Sequence, residues 1–323
     1  LFLQLNGIPS EAAPTDRLYF RFDPQGVWRP SSEDRSNDVE AACVRLHDAF
    51  AHAIFPDWEA YRALLPALPQ FVPIAGMNSE APISKQVFEQ FLESAKVFPE
   101  INRFLYLYDC QRLVAGIQEC TKEILQILGE FYRTLNLEEF FFPKMAQPDG
   151  VRYTTSPVTT KLSAYLGFIF IRLHSLLDYT VKLALEAEGL QTRFESYPRM
   201  RSLSSQYGDR KRIRFNGTAG TLFENCAALT FVETLRNHLI HDGLLDDMPK
   251  AYEVIENGAA IERFLLWPDM VEGRFERLKN RNLFYGAEHK INQTLPGIIF
   301  EFQARQVATL SRILTTITST AKA

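Results

Sequence analysis

From Thr159 to Glu188 the chain runs without a proline and carries apolar side chains on nearly every side of a helical wheel. A helix that is apolar all round must be covered by other elements, so this segment predicts a central, buried helix and a mainly α fold built around it. Gly189 is placed to stop it. Upstream, Leu105, Leu113, Ile117, Ile124 and Leu128 recur at helical spacings within Glu100–Leu137, which reads as one long helix or two in series, ended by Phe140-Phe141-Phe142-Pro143. Shorter helical patterns cover Asp38–Ile54 and Trp58–Leu65, and Ser84 is placed to cap a helix running through Val97. Residues 1–35, rich in Pro, Gly and Ser, read as an extended arm or edge strands around Leu18–Phe22, and Pro66–Pro82 as a connector. A helix is expected from Thr221 to His241, halted at Asp242-Gly243, and a last one from Gly297 to about Ile317. Between them, residues 251–290 alternate like strands, with Ile261–Leu266 and Leu278–Tyr285 suggesting a small β excursion.

With 323 residues, 46% of them hydrophobic and 25 of them Phe, the chain can fill one large core or two ordinary ones. The Pro- and Gly-containing stretch Pro143–Pro157 is the natural boundary. It separates an N-terminal, mostly helical region, residues 1–150, from a C-terminal helical domain, residues 151–323, that carries the 251–290 insertion. The net charge of −4 excludes a uniformly basic surface, though not a local basic patch. Cys43, Cys110, Cys120 and Cys226 form no CxxC pair and lie in helical patterns, which fits reduced core thiols rather than a zinc site. His47 and His52, five apart, point in different directions, and no metal or cofactor is expected. Gly-rich phosphate loops, HExxH helices and Gly-x-Ser-x-Gly elbows are missing from the sequence. The longest apolar run, Ala164–Ile171, is broken by Arg172 and His174 well short of the ~20 residues a membrane span needs. The opening residues lack a basic leader, so the cytoplasm is the expected compartment.

The Thr221–His241 segment carries the most informative polar residues. On a wheel, Leu222, Cys226, Leu229, Val232 and Ile240 fall on one apolar arc, joined by Leu239, and Arg236 falls among them. A guanidinium on such a face requires a partner, a phosphate or an interface. Asn237 and His241, four apart, stack beside it, while His238 projects to the opposite side.

Arg236 and His241, with Asn237 directly after the arginine and Gly243 after the helix, resemble the Arg-Asn-x-x-x-His form of the HEPN superfamily signature. The resemblance covers roughly residues 156–323, and the insertion marks a divergent member. It implies a helical bundle, typically dimeric, in which two such motifs meet across the interface. Many HEPN domains are metal-independent ribonucleases, often bacterial toxins or phage-defence effectors, and others have lost activity. The expected activity is therefore an endoribonuclease cleaving tRNA or other single-stranded RNA by attack of the ribose 2′-OH. The expected partners are RNA, a second copy of the chain, and an antitoxin or defence-system protein.

The residue types suit that chemistry. A histidine ordinarily titrates near pH 6.5 and can act as base or acid, as His241 would. Arg236 can hold a phosphate in its fork and stabilise developing charge, and Asn237 can orient either group. Protein-only roles exist too: Arg236 can pair with Glu233 one turn earlier or with Asp178 on the central helix, and His241 can serve the last helix carbonyls. Asp178 and His174, four apart on one helix face, also read as satisfied core polar groups. On that alternative the chain is a non-catalytic HEPN-like scaffold or nucleotide-binding protein.

The loop before the motif helix is net positive within an acidic chain. Arg199, Arg201, Arg210, Lys211, Arg212 and Arg214 interleave with Phe194, Tyr197, Tyr207 and Phe215. Phosphate neutralisation plus base stacking is what a single-stranded RNA groove needs, although a solvated surface loop has the same composition.

Overall fold

The computed structural model describes residues 1–15, 17–55, 57–95, 98, 100–142, 148–215 and 217–320. The fold is mainly α with small antiparallel sheets. Contacts group the chain into two compact units, one of residues 1–37, 119–176 and 219–307, the other of residues 38–118, 177–218 and 308–323. This grouping differs from the consecutive halves 1–150 and 151–323, because three helices of 37, 32 and 30 residues each contribute to both units.

The first unit opens with a three-stranded sheet, β1 (Leu3–Gln4), β2 (Tyr19–Phe22) and β3 (Trp28–Pro30). The expected extended arm is thus a docked sheet. Phe20 is fully buried with its ring stacked 4.3 Å from Tyr132, and the Asn136 amide bonds both the N–H and the carbonyl of Gln4. Tyr132 and Asn136 belong to α4 (Ile101–Leu137). The last helix, α7, begins at Ile291, earlier than the sequence suggests, with Pro296 inside it. A proline lacks the N–H that would bond the carbonyl four residues back. That carbonyl, on Asn292, instead accepts the buried hydroxyl of Tyr132, which accounts for the tolerated proline.

The β excursion is larger than expected. Strand β4 (Gly150–Thr154), inside the presumed boundary stretch, pairs with β5 (Ala251–Glu256), which pairs with β6 (Ala259–Phe264). Buried Glu253 holds this sheet from its inner face, pairing with Arg152 and with Arg263, whose guanidinium also reaches carbonyls at the end of α4. A second hairpin, β7 (Met270–Val271) and β8 (Arg274–Phe275), follows. Leu278–Tyr285 is a turn with one isolated bridge, Leu278 to Arg281, rather than a strand. Residues 143–147 of the boundary stretch lie outside the described residues.

The second unit contains α1 (Ser36–Ile54) from Asp38 onward, α2 (Trp58–Leu64) and α3 (Lys85–Ser94). Ser84 caps α3 as expected, accepting the Val87 N–H at 3.2 Å, and the helix ends at Ser94; Val97 lies outside the described residues. Buried Val72, Ile101 and Leu105 form a core there, covered by Phe71, Phe88 and Phe91. Helix α5 (Pro157–Glu188), which contributes to both units, starts on Pro157, a residue suited to a first turn. All four cysteines are free thiols. Among the described residues no helix is long and apolar enough to cross a membrane.

Candidate active site

The motif helix α6 spans Ala227–His241, starting later than the pattern suggested. Residues 221–226 spend their polar groups on a turn instead: Thr221 Oγ accepts the Phe223 N–H, and Glu224 accepts the Gly220 N–H while pairing with Arg305. The buried face of α6 is Leu229, Val232, Leu235 and His238, one residue per turn. The arc expected from the wheel is therefore rotated: Ile240 is 48% exposed, and Arg236 is half-buried at the rim rather than inside the apolar face.

The 251–290 insertion holds this helix in place. The β7–β8 turn passes through Glu272 and Gly273, both at positive φ, and Gly273 sits against the first turn of α6. A Cβ at that glycine would lie 2.3 Å from the Ala227 oxygen and 2.7 Å from the Phe231 nitrogen, so only glycine permits the approach. Trp267 meets Phe231 and Phe170 edge-on, and Phe275 meets the His238 ring edge-on. At the far end, Tyr285 donates its hydroxyl to the Leu245 carbonyl. The helix stops where the N–H groups of Asp242 and Gly243 both return to the His238 carbonyl, with Gly243 at φ +133°.

The two histidines of the motif have different fates. His238 is 6% exposed, its Nε2 lies 2.9 Å from the Leu244 carbonyl, and its Nδ1 lies 3.4 Å from Asp242. A hydrogen bond of this kind contributes about 1 kcal/mol, and its loss in a buried place costs about 1–3 kcal/mol. His238 is thereby a fixed part of the helix end. His241, one turn from Asn237, is exposed at the C-terminal turn and carries no hydrogen bond or ion pair among the described residues. Arg236 Nη1 donates to Asn237 Oδ1 at 2.9 Å, an exposed bond that a phosphate can displace at small cost. Arg236, Asn237 and His241 thus all belong to the last two turns of α6, with Asn237 bonded to Arg236 and one turn before His241. Glu233, half-buried on the same helix, has protein contacts of its own.

Beside the motif lies an apolar groove of about 520 Å³, formed by Gly167, Phe168 and Ile171 of α5 with Leu239, Leu244 and Met248. Phe168, Leu244 and Met248 are 43%, 55% and 62% exposed, so the groove and its rim form a sizeable apolar surface. Neither this groove nor the insertion's hold on α6 was read from the sequence.

The remaining expected residues lie in the other unit and do different work. Asp178 Oδ1 accepts the Tyr207 N–H at 2.7 Å, so it secures the basic loop, a role the sequence did not suggest. Glu186, fully buried, accepts the Ser202 N–H at 2.7 Å and the Tyr106 hydroxyl at 2.8 Å. Glu188 Oε1 accepts the N–H groups of Arg214 and Phe215 at 2.6 and 2.8 Å. Three carboxylates on the last turns of α5 therefore pin a loop that sequence composition suggested was free. Arg199, Arg201, Lys211, Arg212 and Arg214 are exposed; Arg210 is half-buried with its guanidinium 4.0 Å over the Tyr207 ring, and Arg212 pairs with Asp209 at 3.5 Å. Three of the expected stacking aromatics are engaged by other parts of the protein, although Tyr197 stays 40% exposed. Tyr207 is buried, Phe194 packs against Arg103 and Tyr106, and Tyr197 donates to Asp109. Burial is the largest influence on Asp109 and raises its pKa, opposed by the Tyr197 bond.

Among the described residues no group of three or more His, Cys, Asp or Glu side chains is arranged to hold a metal ion. Comparison with family models, with curated proteins and with solved structures returns no match.

Proposed function

We propose that the chain is a divergent HEPN-type endoribonuclease that works as a homodimer, with His241 as proton-transfer group and Arg236 as phosphate clamp. The observation that carries the reading is the split between the motif's histidines: His238 is locked into the helix end, while His241 stands exposed one helical turn from Asn237, which accepts a hydrogen bond from Arg236. The reaction attacks phosphorus with the ribose 2′-oxygen and breaks the bond to the 5′-oxygen. A base removes the 2′-OH proton and an acid protonates the departing 5′-oxygen, leaving a 2′,3′-cyclic phosphate and a 5′-hydroxyl. One chain supplies one exposed motif histidine, so base and acid together call for two chains. The apolar groove beside the motif gives a second copy a surface to cover. By its resemblance the protein serves as a toxin or phage-defence effector on tRNA or other single-stranded RNA, restrained by an antitoxin or defence partner.

The non-catalytic reading has one observation in its favour. Asp242, Asp246 and Asp247 follow the motif directly, so the chain beyond His241 is acidic where an RNA groove would be basic. Asp246 pairs with Lys250 at 3.6 Å, which reduces that charge without reversing it. The test is incubation of the protein with tRNA and single-stranded RNAs in EDTA, followed by end analysis. Fragments ending in 2′,3′-cyclic phosphate support the enzyme, and intact RNA throughout supports the scaffold.

A further inference from the structure

The second unit contains a cleft of about 480 Å³ between the end of α5, the end of the basic loop and the last turns of α7 (Ile291–Thr320), which the ribonuclease reading does not use. Two guanidiniums line it. Arg214 is exposed, but its backbone is fixed because Glu188 holds its N–H and that of Phe215. Arg312 lies flat against the chain at Gly217, with its nearest nitrogen 3.5 Å from where a Cβ would stand. Two arginines lining one cleft of this size favour a phosphate, which guanidiniums bind in a fork.

The other lining groups narrow the ligand. Thr315, Thr316 and Ser319 each donate their hydroxyl to a carbonyl of their own helix, at 3.0, 3.0 and 2.9 Å. Toward the cleft they offer oxygen lone pairs, which suit sugar hydroxyls and base N–H donors rather than phosphate oxygens. Glu188 is a further acceptor. The lining residues thus comprise two arginines and one glutamate, which suits a monoester better than a triphosphate. Half-buried Phe215 gives an apolar wall for a base.

We infer that this cleft binds a nucleoside monophosphate, with the phosphate on Arg214 and Arg312, the sugar and base donors on Glu188 and the hydroxyl row, and the base against Phe215. The site stands whether or not the motif helix cleaves RNA. Its ligand has two sources of the same chemistry, a free nucleotide or the 5′-phosphorylated end of an RNA.

The experiment is calorimetric titration of the full chain with 5′-AMP, adenosine, and one short RNA bearing either a 5′-phosphate or a 5′-hydroxyl. At least one 5′-phosphorylated probe should bind with Kd below about 1 mM and at least tenfold more tightly than its counterpart without phosphate. Arg312→Ala and Arg214→Ala should each weaken it at least tenfold. Arg45→Ala, which removes an exposed arginine of α1, should change it less than twofold. Binding of the phosphorylated RNA as tightly as 5′-AMP identifies an RNA end as the source, and binding of 5′-AMP alone identifies the free nucleotide. If Arg312→Ala does not fold, the exposed Arg214→Ala carries the test. No binding of either phosphorylated probe by the wild type, or equal weakening by Arg45→Ala, overturns the assignment.

Discussion

His238 Nε2 lies 2.9 Å from the carbonyl oxygen of Leu244, joining the last turn of α6 to the chain that leaves it. The bond separates two histidines three positions apart into a buried fastening and an exposed group. His238→Ala should therefore cost about 1–3 kcal/mol, from a lost hydrogen bond and a small cavity. His241→Ala should change stability by less than about 0.5 kcal/mol. Thermal unfolding of the two variants checks this, and equal destabilisation would contradict the division of roles.

Gly273 touches the first turn of α6 where no side chain fits. Gly273→Ala should destabilise the protein by about 2 kcal/mol or more, combining a positive-φ penalty with a clash against Ala227 and Phe231. Chemical denaturation measures the loss. A neutral substitution would mean that the insertion does not support the motif helix.

Glu186 is buried with two hydrogen bonds to its carboxylate, so Glu186→Ala should leave the Tyr106 hydroxyl and the Ser202 N–H unpaired. Bonds to a charged acceptor contribute about 1.5–3 kcal/mol each. Limited proteolysis should then cut within residues 190–215 much faster than in the wild type. Unchanged cutting would contradict the pinned loop.

Asp109 has its pKa raised, chiefly by burial. An acid whose folded pKa exceeds its unfolded value favours folding while protonated and loses that contribution as pH rises through the folded value. Asp109→Asn keeps an acceptor for Tyr197 without the half-buried charge. Its Tm relative to wild type should rise as pH increases above about 4, and a relative fall would contradict the assignment.

Phe168, Leu244 and Met248 expose apolar area beside the motif. Leu244→Glu should leave folding intact but shift light-scattering mass from dimer to monomer, with RNA cleavage lost in parallel. A wild type that is monomeric at all concentrations would contradict the dimer.

Much of the helical plan was legible, because an all-round apolar pattern such as Thr159–Glu188 has few other solutions in water. The Ser84 cap was legible for the same local reason. The wheel for α6 misplaced Ile240 and Arg236 because burial there is set by a hairpin far along the chain, through Gly273, Trp267 and Phe275. Strand β4 was hidden because five residues signal a strand only once β5 is beside them. The basic loop misled most. Most of its charges are exposed as composition implies, but its backbone is held by Asp178, Glu186 and Glu188, whose targets no local pattern reveals.

The central claim is tested most directly by RNA cleavage in EDTA, comparing wild type with His241→Ala and Arg236→Ala at matched folded concentration. The account predicts cyclic-phosphate products from the wild type and losses of about 100-fold or more in both variants. Undiminished cleavage by His241→Ala, or no cleavage of any RNA by the wild type, would contradict it.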